Sequence, residues 1–218
     1  MMGSLRSVQV LVPLVAAVAI AAPAQAAPVC ASYADELAVM VEAAEAVRSR
    51  VDYLAPLEDP VAARHLAQLE LVERDNAARL GSLMATCGWP RHSVEGVQAA
   101  RSAWLVAQQR SEDISFQRKV VRQLELAALD DEASMVHLAT ASDRLAVREG
   151  RPQRYGTQLR QVHPCAWDYY PFDDPARVEA RRKRLGLPSL EDHKRAINTM
   201  IITENCPAPD LETRPGKP

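Results

Sequence analysis

The sequence predicts a mainly α protein: an antiparallel bundle of about five longer helices, followed by a short β-hairpin and short C-terminal helices. Apolar residues recur at alternating steps of three and four through most of residues 33–150, the period of an amphipathic helix. Turn signals fall between those runs, at Pro56, at Gly88-Trp89-Pro90 and at Gly150. The apolar content rests on Ala, Val and Leu, with only 5% aromatic residues, which favours close-packed helices over an aromatic-rich sheet.

The elements follow in order. Tyr33, Leu37, Met40, Ala44, Val47, Val51 and Leu54 share one face of a first helix that Pro56 ends. Asp59 caps a second helix, with Pro60 in its first turn, and Ala62, Leu66, Leu69, Leu80 and Leu83 form its apolar face. Glu73 and Asn76 interrupt that stripe, either as satisfied core groups or as the wall of a site. Ser93 is expected to cap a third helix carrying Val94, Val97, Ala100, Trp104 and Ala107. The fourth begins near Ser111 or Glu112 and buries Ile114, Phe116, Val120, Val121, Leu124 and Ala127. Asp130-Asp131-Glu132 supplies the cap and acidic first turn of a fifth, whose core face reads Met135, Leu138, Ala139, Leu145 and Ala146 before Gly150 stops it.

Beyond Gly150 the period changes. Residues 155–162 and 165–172 allow a small hairpin across His163-Pro164. Asp174-Pro175 opens a short helix over 176–185, ended by Gly186, and a second short helix runs near 190–201.

The N-terminus reads as an export signal. Arg6 is a short positive region, Val8 to Ala22 is apolar, and Ala24-Gln25-Ala26 is a small-x-small cleavage site. The expected organisation is a signal peptide over 1–26, one helical domain over 27–208 and a disordered Pro-rich tail over 209–218. The chain would then be periplasmic or extracellular, with no stable membrane anchor after cleavage. The alternative is an uncleaved anchor, but the apolar run falls short of the roughly 20 residues a spanning helix needs. Loss of Arg6 moves the formal charge from -2 to -3, a balance that does not point to nucleic acid.

Export places Cys30, Cys87, Cys165 and Cys206 where disulfides persist. Helices of similar length joined by a short connection fold back as a hairpin, so Cys30 at the start of the first meets Cys87 at the end of the second. Cys165–Cys206 is then the second pair by default; four free buried thiols is the alternative.

A set of residues in this chain resembles a bacterial family known only as a domain of unknown function. They are Cys87-Gly88-Trp89-Pro90, Ala103-Trp104-Leu105 with Gln108, Asp113 and Gln117, Leu138-Ala139 with Asp143-Arg144, Gly150, Gln153 and Tyr155-Gly156-Thr157-Gln158, and Arg181-Arg182 with Gly186-Leu187. The similarity covers about Asp59 to Leu190; it implies a mostly helical domain and brings no activity. In the family pattern a His usually follows the Gln at 108, and here Gln109 stands there. If that His is a base or metal ligand in relatives, a carboxamide cannot replace it, because it does not titrate in the useful range.

The polar stretch from Asp143 to Gln158 is the place to look for a site. Gln108, Asp113, Gln117, Asp143, Arg144, Gln153, Tyr155, Thr157 and Gln158 are expected to converge on a polar pocket for a small polar ligand or a protein partner. The competing reading is that these groups tie the loop to helix ends. A non-catalytic binding or interaction role is favoured, and the alternative is a small hydrolase using Asp113 or Asp143 as general base. His137 and Asp143 project about 120° apart on one helix, a poor dyad. No His-x-x-x-His spacing or Gly-x-Ser-x-Gly elbow occurs, so neither a metal nor any cofactor is expected. The basic run Arg181 to Arg184 reads as a solvated helix face.

Overall fold

A computed structural model describes residues 30–56, 58–163 and 165–200. The expected leader, Pro164, Cys206 and the tail lie outside the described residues, and with them the Cys165–Cys206 pairing. Within the described residues the protein is mainly α. Its helices are α1 (Tyr33–Arg48), α2 (Pro60–Cys87), α3 (Val97–Gln109), α4 (Ile114–Leu129), α5 (Met135–Arg148), α6 (Pro175–Arg184) and α7 (Leu190–Met200). Between α5 and α6 lies a two-stranded antiparallel hairpin, β1 (Leu159–His163) and β2 (Ala166–Tyr169).

The helices α1, α2 and α3 pack on one another, α4 pairs with α5, and α2 also reaches α4. The core they share contains Leu37, Leu80, Leu83, Val106, Val120 and Leu124, all fully buried. Helix α3 turns a stripe of small residues inward, Ala99, Ala100, Ala103 and Ala107, so its backbone can come close to its neighbours. The α1–α2 hairpin closes at the expected pair although the helices are unequal, 16 and 28 residues: Cys30 is bonded to Cys87, and beside it the Tyr33 hydroxyl donates to the Gly88 carbonyl at 3.2 Å. The polar residues in the α2 stripe are satisfied. Asn76 donates to the Met40 carbonyl at 2.9 Å, and Glu73 pairs with Arg48 at 2.7 Å.

Several expected boundaries move, each for a local reason. Helix α1 stops at Arg48 and leaves out Val51 and Leu54, which is 95% exposed. Past Arg48 the backbone tightens into bonds from Arg50 and Val51 to carbonyls three residues back, and the Asp52 carboxylate then takes the Leu54 N–H. Ser93 does not cap α3, because its N–H and hydroxyl both donate to Glu132 and the helix enters four residues later, after Gly96. Val94 and Val97 are consequently exposed. The acidic trio does not cap α5 either. Asp131 sits at φ 59, Glu132 is engaged by Ser93, and Ser134 is the cap, accepting from the His137 N–H. Leu66 and Met135, expected in the core, are exposed at 45% and 40%.

The C-terminal segment is held by side chains as much as by strands. The hairpin is shorter than expected because residues 153–158 are drawn onto α5. On β2 the Asn198 amide binds both the N–H and the C=O of Trp167, much as a neighbouring strand would, and ties α7 across the hairpin. Asp174 caps α6 and Gly150 ends α5 at φ 69, as expected. Among the described residues no helix is long and apolar enough to cross a membrane, and no group of His, Cys, Asp or Glu is arranged to hold a metal ion.

Candidate functional site

The loop from Gln153 to Gln158 is organised by one buried charge on each side. Asp143, fully buried on α5, accepts from the N–H groups of Arg154 (2.7 Å), Tyr155 (3.0 Å) and Thr157 (2.9 Å) and from the Thr157 hydroxyl (3.1 Å). Across the loop Arg182, 2% exposed, donates to the carbonyls of Tyr155 (2.9 Å), Gly156 (2.8 Å) and Pro188 (2.7 Å). Arg181 adds a bond to the Arg154 carbonyl at 3.0 Å. The peptide units 154–155 and 156–157 thus each offer their C=O to an arginine and their N–H to Asp143. The buried Asp143 and the buried Arg182 are compensated through aligned peptide dipoles rather than by direct contact.

Burial pushes the Asp143 carboxyl above its ordinary value, and the loop donors pull it back only in part. Every polar atom facing its oxygens is a donor, so the ionised form is the one this environment accommodates. Gly156 is required where the loop turns. Its φ is +63°, and a Cβ there would stand 2.6 Å from Leu190 Cδ2. Gln153, also fully buried, completes the frame: its Nε2 donates to the Gln158 and Tyr170 carbonyls, and its Oε1 accepts from the Gln158 N–H.

Asp113 and Gln117 occupy a different place, the junction of α3 and α4. Asp113 is the N-cap of α4, accepting from the Phe116 N–H at 2.9 Å. That bond, with the Ser115 hydroxyl, holds its carboxyl below the usual range. Gln117 is fully buried and donates to the carbonyls of Ala107 and Arg110, satisfying the C-terminal end of α3 from the neighbouring helix.

Gln108, Arg144 and Gln158 come together on a third face. The Arg144 guanidinium donates to Gln108 Oε1 and, at 3.4 Å, to Gln158 Oε1. Gln158 Nε2 reaches the Thr157 hydroxyl, which joins this face to Asp143. Arg144 is half-buried and, among the described residues, has no carboxylate within 4 Å. Burial and Arg148 push its pKa down, and the Glu112 carboxylate acts against them. Two buried donors at this end of α3, Trp104 Nε1 and Gln108 Nε2, have no partner among the described residues. His137 stacks on Trp104, ring centroids 4.4 Å apart, and burial lowers its pKa.

The nine expected site residues therefore divide into a frame (Asp143, Gln153, Tyr155, Thr157), a helix junction (Asp113, Gln117) and a face with surplus donors (Gln108, Arg144, Gln158). The basic run reads from the sequence mainly as a solvated face, with the family resemblance pointing to Arg181 or Arg182 reaching the central loop, and both do reach it. Lys183 and Arg184 are exposed, but Arg182 shares the buried stripe of α6 with Val178, four residues earlier. That spacing was the available signal. From the sequence Trp104 reads as part of the family pattern and of the α3 core face, and His137 as a partly buried helix histidine poorly placed for a dyad; neither reading brings the two rings together.

The fold and this face define a disulfide-stapled helical domain with a loop clamped between a buried carboxylate and a buried guanidinium. The chain belongs to DUF6624, a family of unknown function whose profile matches residues 31–201. No curated protein and no solved structure matches it significantly.

Proposed function

We propose that the protein is an exported, non-catalytic binding domain, residues 27–208 after removal of the leader, whose ligand is a small acceptor-rich molecule, carboxylate or similar, held at Arg144, Gln108 and Gln158. The observation that carries this reading is Arg144. A half-buried guanidinium bonded only to two amide oxygens, beside the partnerless donors of Trp104 and Gln108, has donor capacity that a further acceptor can take up. The frame around Asp143 supports the reading by holding Gln158 in place. The carboxylates suggested as a base fit it too: Asp113 is held low by its cap bonds, and the Asp143 oxygens are turned to loop donors. The Cys30–Cys87 disulfide is consistent with an oxidising compartment.

The test is thermal unfolding of the mature protein in acetate, succinate and inorganic phosphate at matched ionic strength. One of these raises Tm in the wild type and not in Arg144→Met. Arg144→Met without ligand is neutral or stabilising, as at sites kept at a stability cost. A marked loss of stability in Arg144→Met, with no anion effect on the wild type, would show that Arg144 is a structural tie.

A further inference from the structure

The polar break in the α2 stripe also borders a cavity. Val41, Glu45 and Arg48 follow one another at steps of four and three on α1, and Leu105 precedes Gln109 by four on α3, so each set shares a helix face. Together with Glu73 of α2 they line a cavity of about 390 Å³, a volume in the range of small-molecule sites. Val41 and Leu105 are only partly buried, and the wall presents more apolar than polar surface.

The charges on that wall meet. Arg48 donates to Glu45 at 3.0 Å and to Glu73 at 2.7 Å, so a single guanidinium serves two carboxylates and the lining keeps one negative charge in excess. Pairing uses one oxygen of each carboxylate, and the other has no partner among the described residues. Gln109, on the same wall, has a buried Oε1 that is likewise without a partner among the described residues. The cavity lies beside the last turns of α1 and α3, which end at Arg48 and Gln109, where helix dipoles present their negative ends. Excess carboxylate, unpartnered acceptors and two helix C-termini all favour a cation. Val41 and Leu105 favour an apolar body behind it.

We propose that this cavity binds small primary alkylamines in their ammonium form, with the head group on Glu45, Glu73 and Gln109 Oε1 and the alkyl chain against Val41 and Leu105. Isoamylamine is the probe, titrated calorimetrically into the mature protein at neutral pH, where an alkylamine is protonated. The amine binds, while isoamyl alcohol, an uncharged analogue of the same shape, binds about tenfold more weakly or worse, the effect of one lost charge-assisted hydrogen bond. Glu73→Gln and Glu45→Gln each weaken amine binding severalfold; Glu45 is exposed, so Glu45→Gln reads the effect without disturbing the fold. Arg144 does not line the cavity, although its partner Gln108 does, so Arg144→Met retains amine binding, which separates this cavity from the Arg144 face. The proposal is overturned if isoamylamine does not bind, if the alcohol binds as well as the amine, if Glu45→Gln leaves the affinity unchanged, or if Arg144→Met abolishes binding.

Discussion

Replacing Asp143 by Ala tests the frame of the molecule directly. The carboxylate accepts from three loop N–H groups and one hydroxyl. Arg154 is exposed, so its N–H can turn to water. The N–H groups of Tyr155 and Thr157 lie deeper, and a buried donor left unpaired costs about 1–3 kcal/mol. Together they cost about 2–6 kcal/mol, and relief of the buried carboxylate returns part of that. A net loss near the middle of the range, about 3 kcal/mol, is a large share of the roughly 5–15 kcal/mol that holds a domain folded. For a chain of this length it lowers Tm by roughly 6–12 °C. The assay is thermal and urea unfolding under non-reducing conditions, so that the disulfide is intact in both proteins. A Tm within about 2 °C of wild type would refute the frame reading and mean that the loop N–H groups are solvated without Asp143.

Three further predictions follow from named contacts. Arg182→Met removes three bonds to carbonyls and destabilises by about 2–4 kcal/mol, yet combined with Asp143→Ala it costs less than the sum, because both act on the 156–157 peptide unit and hold the same loop; a double-mutant cycle in urea reads the coupling, and strict additivity would count against it. Cys30→Ser with Cys87→Ser opens a loop spanning 57 residues and lowers stability by about 4 kcal/mol on the chain-entropy account; equal melting of oxidised wild type and the double variant contradicts this. The His137 pKa is lowered by burial, then by Arg101 and His92, so the unfolded chain binds the proton more readily than the folded one. Stability is therefore full above the ordinary histidine value near 6.5 and falls as pH drops through it towards the folded value; Tm measured from pH 7.5 to 5.5 declines less in His137→Phe than in wild type.

Much of the bundle was legible because its causes are local. The three-four spacing of Tyr33, Leu37, Met40 and Ala44, the Asp59-Pro60 entry to α2 and the stop at Gly150 depend on helical period, cap chemistry and glycine's access to positive φ. The Cys30–Cys87 bond followed from two antiparallel helices, although their lengths differ, 16 against 28 residues. These are properties of neighbours in the chain, so the chain alone determines them.

Ser93, Asp131 and Glu132 show where that reasoning ends. Ser93 and Asp131 are good caps by composition and Glu132 suits an acidic first turn, but Glu132 bonds to Ser93 across 39 positions, and the helix starts move to Val97 and Met135. The candidate site divided for the same reason. Asp143 and Arg144 are adjacent in sequence, yet one is spent on loop N–H groups while the other bonds only to the amide oxygens of Gln108 and Gln158, a distinction set by which groups the fold brings to each. Arg182 reaches Gly156 from 26 positions away. Composition fixed the kinds of polar group available, whereas only tertiary structure decided which of them are satisfied, because hydrogen-bond saturation depends on partners that meet in space and not along the chain.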